Sequence, residues 1–317
     1  MTRSKSVALI LVVTLLLTVF AAAAAPATKP AIPALIVGTA PPKSFIANGI
    51  CRFSAGAGLG FHVAWDGSRQ VCALYDASDG TPLFLSDGGQ TLVYDLTNSR
   101  IVRVPVSRGY VRIQWNPQEV KPLSFSIGVD LKSDPQKLEE SSAWFRIDRF
   151  VAATPQLKPL GRQGNSDLFA AERKDGSVES LQVGPPDAGW FRFTSMSGGE
   201  SFYRIELHAT HIDEPLPASA LAFPDAKRFP ADVNLVDLDQ QLLPAFVVFL
   251  RDGHAWMTKL AVSGGPTVQD SVGKTLGNVD WAELRERDAR FGAVYRKALA
   301  EQGVPPYSVA ATTRPAG

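Results

Sequence analysis

Histidine and cysteine are scarce in this 317-residue chain, which contains four histidines and two cysteines. Neither the H-E-x-x-H pattern of zinc enzymes nor a C-x-x-C pair occurs. His208 and His211, followed by Asp213 and Glu214, come nearest to a ligand set, but a polar strand end explains them more simply. We therefore expect no metal and no cofactor.

Motifs for nucleophilic catalysis are also missing. The chain has no G-x-S-x-G elbow. Four aspartates that could suggest paired carboxylates are Asp66, Asp76, Asp87 and Asp95, and all lie where turns or strand ends are predicted. Aspartate is favoured there for its hydrogen bonds to nearby backbone. We expect a protein that is not an enzyme, with a secreted hydrolase as the less favoured alternative.

No charge of one sign dominates, since the chain contains 32 lysines and arginines and 31 aspartates and glutamates. This balance excludes the basic field that a nucleic-acid-binding protein needs. After residue 25 no apolar run is long enough to cross a bilayer, because the best candidate, Leu242–Leu250, is short and contains Pro244. Neither a nucleic-acid partner nor a transmembrane span is expected in the mature chain.

The N-terminus has the pattern of a signal peptide. Arg3 and Lys5 precede the apolar run Val7–Phe20, and Ala21–Ala25 supplies small residues for cleavage. We predict a signal peptide over residues 1–25 and a periplasmic or secreted protein. An uncleaved anchor is the alternative, because Val7–Ala25 approaches the roughly 20 residues that span a bilayer.

Two further predictions follow from export. The alanine- and proline-rich residues 26–44 are expected to form an extended tether. Cys51 and Cys72 are expected to form one disulfide, which is the usual state of two cysteines in an oxidising compartment.

Alternation of apolar and polar residues dominates from Leu59 to His208. On the first predicted strand Phe61, Val63 and Trp65 share one face. Strands recur about every 8–12 residues with tight turns between them, which predicts one antiparallel meander that curls into a barrel or half-barrel over residues 45–232.

The C-terminal part differs from the rest. Residues 233–303 form an extension in which a strand is possible over Trp256–Val262 and a helix is predicted over residues 280–302. Asp280 and Glu283 provide its capping box, and Trp281, Leu284, Phe291, Tyr295 and Ala298 line one face. The helix could cover a concave sheet as a lid or a plug. Residues 304–317 are expected to be a disordered tail.

Two segments resemble LolA-like outer-membrane lipoprotein carriers, of the LolA/LolB-like superfamily. In Leu85–Leu96 a strand ends in S-D-G and the next reads L-V-Y-D, and a hydrophobic strand follows at Arg100–Val106. Tyr203–Leu207 followed by Pro215–Pro224 is similar to the closing strand of that family. The resemblance covers about residues 53–230 and lacks the N-terminal helix of the carriers.

The resemblance implies a mainly β (α+β) fold, with an unclosed, curved antiparallel sheet whose hollow holds acyl chains and is plugged by helices. The expected function is a carrier or sensor that binds lipid acyl chains or an acylated lipoprotein. The alternative is an envelope scaffold that binds a partner protein and fills its own core. The alternating positions proposed to line the hollow are Phe61, Val63, Trp65, Leu92, Tyr94, Val111, Ile113, Trp115, Phe125, Phe191 and Phe193.

Overall fold

The computed structural model describes residues 43–53, 58–105, 107–115, 123–131, 158–164, 166–172, 178–183, 190–197, 200–238, 259, 262 and 280–308. The predicted signal peptide, the tether up to residue 42 and the predicted strand Trp144–Phe150 lie outside these residues.

The described residues form fourteen strands, most of which match predicted ones. Their bounds are β1 (Phe45–Phe53), β2 (Gly58–Trp65), β3 (Gln70–Asp76), β4 (Pro82–Ser86), β5 (Gln90–Asp95), β6 (Arg100–Pro105), β7 (Ser107–Trp115), β8 (Leu123–Leu131), β9 (Lys158–Gln163), β10 (Ser166–Glu172), β11 (Val178–Val183), β12 (Trp190–Ser197), β13 (Glu200–Thr210) and β14 (Leu235–Asp237). Of these, β1, β9 and β14 were not predicted as strands.

Twelve strands form one open sheet in the order β14-β6-β5-β4-β3-β2-β1-β13-β12-β11-β10-β9. It consists of two antiparallel meanders, β1–β6 and β9–β13, which join where β1 pairs with β13. The predicted fold class is confirmed: the protein is mainly β, with an unclosed curved sheet and a C-terminal helix. The three-residue strand β14 departs from the antiparallel pattern, because it pairs in parallel with β6.

The chain leaves the main sheet after β6, and β7 and β8 form a separate two-stranded sheet. Pro105, the last residue of β6, has no N–H to donate to a ladder. Ser107 is fully buried and donates its hydroxyl to Val104 O at 2.7 Å. From there β7 lies against β3, β4 and β5. The prediction of a single continuous meander is therefore wrong at this point.

Cross-strand register divides the residues of the main sheet between two faces, because neighbours in register share a face. Face A contains Phe61, in register with Gly49 and Leu74, and face B contains His62, in register with Asn48 and Ala73. Strands β3 and β4 are buried along their whole length and β2 and β5 nearly so. This half of the sheet is therefore covered on both faces.

Helix α1 (Trp281–Glu301) packs on face B and begins where the sequence predicts. Asp280 is its N-cap, with Oδ1 accepting the N–H groups of Ala282 at 2.9 Å and Glu283 at 3.0 Å. The residues it buries are Leu284, Phe291, Gly292, Tyr295, Ala298 and Leu299. Tyr94 of β5 lies against it, with ring centroids 5.1 Å from Phe291 and 5.9 Å from Tyr295.

Three short 3-10 helices connect β13 to the far edge of the sheet, at Ala218–Leu221, Ala226–Arg228 and Ala231–Val233. The first lies against β2 and β3, and the third lies against α1. They occupy the segment that follows the predicted closing strand.

The chain packs back onto the sheet after α1. Val304 is 2% exposed and Tyr307 is 8% exposed, so the prediction of a disordered tail is wrong for residues 304–308. Tyr307 stacks on Tyr75 at 5.5 Å and lies 5.2 Å from His62. Gly80 permits this approach, since it has φ +73° and a Cβ there would lie 2.4 Å from Tyr307 O.

Candidate functional site

The proposed lining residues do not share one face. Register places Phe61, Val63 and Trp65 of β2 on face A. Leu92 and Tyr94 of β5 lie on face B. The prediction treated each strand separately, and alternation within a strand does not reveal which of its faces matches that of a neighbour.

Four of these side chains already belong to the core. Phe61 is 1% exposed, Val63 5%, Leu92 0% and Tyr94 1%, whereas Trp65 is partly buried against the core. Packing of the protein's own residues therefore fills both sides of β2–β5, and these positions leave no open hollow there.

The other six proposed residues lie in strands of known register. Val111, Ile113 and Trp115 belong to β7 and Phe125 to β8, so they are in the separate two-stranded sheet. Phe191 and Phe193 belong to β12, in register with Leu207 and Ile205 of β13. The side chains of all six lie outside the described part of the structure.

An apolar row crosses the middle of face A in strands β10–β13. On face A a row in register runs from Phe169 through Leu181 and position 193 to Ile205. Leu181 and Ile205 are buried, and Phe169 is partly buried.

Face B of the same strands carries charged side chains. Arg192 Nε donates to Glu206 Oε1 at 3.0 Å, and Arg204 Nε lies 3.3 Å from the same oxygen. Arg192 Nη1 also approaches Gln182 Oε1 at 3.5 Å. The middle of face A is therefore apolar and the middle of face B is charged, and the rows that flank the apolar row on face A contain Asp167 and Glu179.

A cluster of five charged residues lies between α1 and the β3–β4 turn. Its members are Asp76, Asp79, Lys259, Asp288 and Arg296, and we call it the charge cluster. Lys259 is 1% exposed, and its Nζ lies 2.6 Å from Asp288 Oδ2, 3.1 Å from Asp79 Oδ2 and 3.5 Å from Asp76 Oδ2. Arg296 Nη1 donates to Asp79 Oδ2 at 2.9 Å.

Neutral side chains complete the charge cluster. Tyr94 Oη donates to Asp288 Oδ1 at 2.8 Å, and Arg296 Nη1 donates to Thr81 Oγ1. Gly292 lies among them, and a Cβ at this position would lie 3.4 Å from Tyr94 Oη. The cluster thus joins α1, β5, the β3–β4 turn and Lys259 by hydrogen bonds between charged groups, which are stronger than neutral ones.

Lys259 and Asp79 are held in their ionised forms by the cluster. Burial alone lowers the pKa of Lys259, but the charge and hydrogen bond of Asp288, with Asp76 and Asp79, raise it above its ordinary value of 10.5. Burial raises the pKa of Asp79, but Lys259 and Thr81 bring it below its ordinary 3.8. The stability that Lys259 contributes is lost only as pH rises through its raised pKa, and that of Asp79 only as pH falls through its lowered one.

Sequence reasoning missed the charge cluster. It assigned Asp76 to turn chemistry, which is correct because Asp76 Oδ1 accepts Ser78 N at 2.8 Å. It also expected a strand over Trp256–Val262, whereas Lys259 and Val262 have helical backbone. The available signal was in α1, where Asp288 and Arg296 interrupt the apolar stripe at helical spacing.

His62 is buried on face B. Its Nδ1 lies 2.7 Å from Asn48 Oδ1 across the β1–β2 ladder, and its Nε2 lies 3.3 Å from Ala220 O. Burial lowers its pKa to about 4, although the hydrogen bond to Ala220 opposes this change. His62 is therefore neutral at pH 7 and belongs to the packing around Tyr307.

The predicted disulfide is wrong, because Cys51 and Cys72 are unbridged thiols. Cys51 lies on β1 opposite Leu59, and Cys72 lies on β3 opposite Val63. With β2 between them they are two strands, or about 10 Å, apart across the sheet, and four residues, or about 13 Å, apart along it. A disulfide requires Cα atoms closer than about 7 Å.

The residues after β13 that could have suggested a metal site, His211 and Asp213, make local loop contacts instead. Asp213 Oδ1 accepts Lys43 N at 2.6 Å, and His211 Nδ1 lies 3.2 Å from Thr210 Oγ1. Among the described residues no group of three or more histidine, cysteine, aspartate or glutamate side chains is placed to hold a metal ion. No helix within the described ranges is both long and apolar enough to span a membrane.

Comparisons with known proteins provide little guidance. No family model matches the chain. No curated protein matches it either. Among solved structures, the chain is similar to an uncharacterized conserved protein from Thermus thermophilus, at 10% identity and a TM-score of 0.26, over 62% of this chain and 91% of that one. A likeness of this size carries no argument about function.

Proposed function

We propose that the mature protein is an exported, non-enzymatic envelope protein that binds acyl chains, of a lipid or a lipoprotein, on face A of strands β10–β13. It would act as a carrier or a sensor. The resemblance of Leu85–Leu96 to LolA-like carriers supports this proposal. The observation that carries it is the apolar row that crosses face A from Phe169 through Leu181 to Ile205.

The chemistry of acyl chains fits an apolar sheet face. Each buried CH₂ contributes about 0.8 kcal/mol, and an acyl chain needs no polar partner along its length. The face A row through Leu181 contains no charged residue from Phe169 to Cys51 of β1, whereas the row through Leu207 begins with Asp167. Because β2–β5 are filled by the protein itself, the binding face is proposed for the other half of the sheet.

Lipid retention is the first test. Native mass spectrometry of the protein purified from the periplasm without detergent should show an excess mass of one or two lipids, which organic extraction removes. The same spectrum tests export, because cleavage of the signal peptide shortens the chain by about 25 residues. A bare mass, with no binding of a dansyl-labelled fatty acid at micromolar protein, would contradict the proposal.

Two adjacent residues provide a matched test of the binding face. Phe169 and Leu168 are both half-buried on β10, and they lie on opposite faces. Phe169→Ser should weaken binding of the labelled fatty acid about tenfold, since it removes apolar area from the site. Leu168→Ser should change it less than twofold. Equal losses in both variants would exclude face A as the site.

A scaffold that binds a partner protein is the second candidate, and the complete burial of β2–β5 favours it. A partner strand at edge strand β9 is disfavoured, because Pro159 lacks an N–H and Gly161 has φ +118°. The register also shifts between Leu168 and Phe169 where β10 pairs with β9. On this alternative, lipids leave the melting temperature unchanged.

A further inference from the structure

We propose that face B carries a binding site for a phosphate group, centred on Arg52 of β1 and Arg204 of β13. Thr194 of β12 and Ser180 of β11 continue the same cross-strand row, which we call the phosphate row. The phosphate group belongs either to a free phosphate ion or to a lipid headgroup. The site lies on the side of the sheet opposite to the proposed acyl-chain face, so it does not depend on that function.

Two arginines lie directly opposite each other in the phosphate row. Arg52 is the register partner of Arg204 in the antiparallel pair β1–β13. Side chains in register leave the sheet on the same face with Cβ atoms about 5 Å apart, and like charges at such positions are destabilising. An anion bound by both guanidinium groups would remove this repulsion.

The carboxylates nearby do not balance these arginines. Glu206 Oε1 is shared, because it lies 3.3 Å from Arg204 Nε and accepts Arg192 Nε at 3.0 Å. The guanidinium group of Arg52 has no ion pair within the described ranges. Three positive charges against one negative charge leave a surplus of two. Other arginines of the sheet each have a carboxylate of their own, in the pairs Arg100–Asp95, Arg103–Asp237 and Arg162–Asp167.

Arg204 has a hydrogen-bond donor without an acceptor. Its side chain is 40% exposed, but its Nε is buried and forms no hydrogen bond in the described structure. The approach to Glu206 is therefore an ion pair without hydrogen-bond geometry. Buried donors without a partner are rare in folded proteins, and each costs free energy. The unmatched N–H, next to an exposed remainder of the guanidinium group, suits an acceptor that arrives from solution.

Hydroxyl groups extend the phosphate row beyond Arg204. Thr194 is in register with Arg204, and Ser180 with Thr194, and both are half-buried. Neighbouring strands lie about 4.8 Å apart, so an anion at Arg204 is within reach of Arg52 on one side and of the Thr194 hydroxyl on the other. The row contains no carboxylate position from β2 to β10.

The open end of the phosphate row is at Arg52, which is exposed. Its register partner on β2 is Gly58, where a Cβ would lie 3.4 Å from Arg52 Cγ. The aliphatic part of Arg52 therefore lies over a glycine, which adds no side chain of its own to the site. An anion can approach the two guanidinium groups from this side.

Phosphate suits the row better than a carboxylate does. A phosphate monoester carries about −1.5 to −2 charges at pH 7 and has three strong acceptor oxygens. This charge matches the surplus of two, and the oxygens match two arginine forks and one hydroxyl. Arginine binds phosphate through two parallel N–H···O hydrogen bonds, which gives both strength and orientation.

Isothermal titration calorimetry of the full mature chain with inorganic phosphate tests the site. Arg52→Gln should weaken phosphate binding about tenfold, because it removes one of the two arginine forks. Arg228→Gln removes an exposed arginine from a 3-10 helix outside the row and should change the affinity less than about twofold. Melting temperatures check that both variants fold. Equal losses in the two folded variants would overturn the proposal.

The Nε–H signal of Arg204 in nitrogen–proton correlation spectra provides a direct readout, and its loss in Arg204→Lys identifies it. Inorganic phosphate should move this signal downfield, because the N–H gains an acceptor. A signal that stays in place while phosphate binds would overturn the assignment to this row.

Phosphatidylcholine vesicles with and without phosphatidic acid distinguish the two sources of the phosphate group. Co-sedimentation that requires phosphatidic acid, and that Arg52→Gln abolishes, supports a lipid headgroup. Binding of inorganic phosphate without co-sedimentation supports a free ion. If neither inorganic phosphate nor the vesicles bind, the proposal is overturned, whatever the fatty-acid experiments show for face A.

Discussion

Among single residues, Lys259 has the largest expected effect on stability. Lys259→Met removes the buried ammonium group from among Asp76, Asp79 and Asp288, whose carboxylate oxygens lie 2.6–3.5 Å from its Nζ. Removing one partner of a buried ionic network costs about 3–5 kcal/mol. Urea unfolding at pH 7 should show this loss. Lys297→Met, whose ion pair with Glu301 is exposed, should cost less than about 0.5 kcal/mol, and a similar loss in both variants would contradict the role of the cluster.

Two buried tyrosines provide a matched comparison. Tyr94 Oη donates to Asp288, whereas Tyr75 Oη has no hydrogen-bond partner in the described structure. A hydrogen bond to a charged group contributes about 1.5–3 kcal/mol. Tyr94→Phe should therefore lower the unfolding free energy by about this amount. Tyr75→Phe should be neutral or stabilising, since it removes a buried hydroxyl that pairs with nothing, and a loss above about 1 kcal/mol there would contradict this assignment.

His62 should make stability depend on pH in mild acid. Its pKa falls from the ordinary 6.5 to about 4 in the folded protein, mainly because of burial. Below pH 6.5 the unfolded chain binds a proton that the folded protein does not, so stability declines until about pH 4, by about 3 kcal/mol. Unfolding free energies at pH 7 and pH 4.5 should fall less for His62→Gln than for the natural protein. Parallel declines would contradict the prediction.

At the scale of secondary-structure elements, the sequence predicts what depends on neighbours along the chain. The strands β2–β6 and β10–β13 follow from period-two alternation, and α1 from the cap at Asp280 and its apolar stripe. Which residues of neighbouring strands lie in register cannot be predicted from the sequence of each strand alone. Phe61 and Tyr94 therefore looked like one lining although register puts them on opposite faces.

The same reason explains why the charge cluster was missed. Lys259 lies 180 residues from Asp79 and 29 from Asp288, and nothing next to it in sequence marks it as buried. Pro105 was the one local indication in the sequence that β7 and β8 leave the main sheet. That proline could equally have occupied an edge of a continuous meander.

The separation of β1 and β3 by β2 leads to a chemical prediction. Because Cys51 and Cys72 cannot reach each other across β2, both thiols should persist in the exported protein. Iodoacetamide without reductant should label both cysteines in denaturant. It should label neither in the native protein, because both are buried and burial raises the pKa of Cys51 to about 12. Mass spectrometry counts the labels, and no labelling in denaturant would indicate a disulfide after all.

At the scale of the whole molecule, the C-terminal part of the described chain packs on strands of the N-terminal meander. Tyr307 lies against Tyr75 and His62, and the charge cluster ties α1 to β3–β5. These contacts connect residues 280–308 to the N-terminal meander through buried groups. Elements linked in this way unfold together, because opening one exposes the buried surface of the other.

We therefore predict that α1 and strands β3–β5 unfold as one cooperative unit. In native-state hydrogen exchange with increasing urea, the slowest amides of residues 281–301 and 70–95 should give the same free energy and the same denaturant dependence. In Lys259→Met the values should separate, with α1 opening at a lower free energy than the sheet, since the helix then loses its ionic attachment. Lys297→Met keeps the two segments together. If α1 opens at a much lower free energy than the sheet in the natural protein, the two do not form one cooperative unit, and the prediction is contradicted.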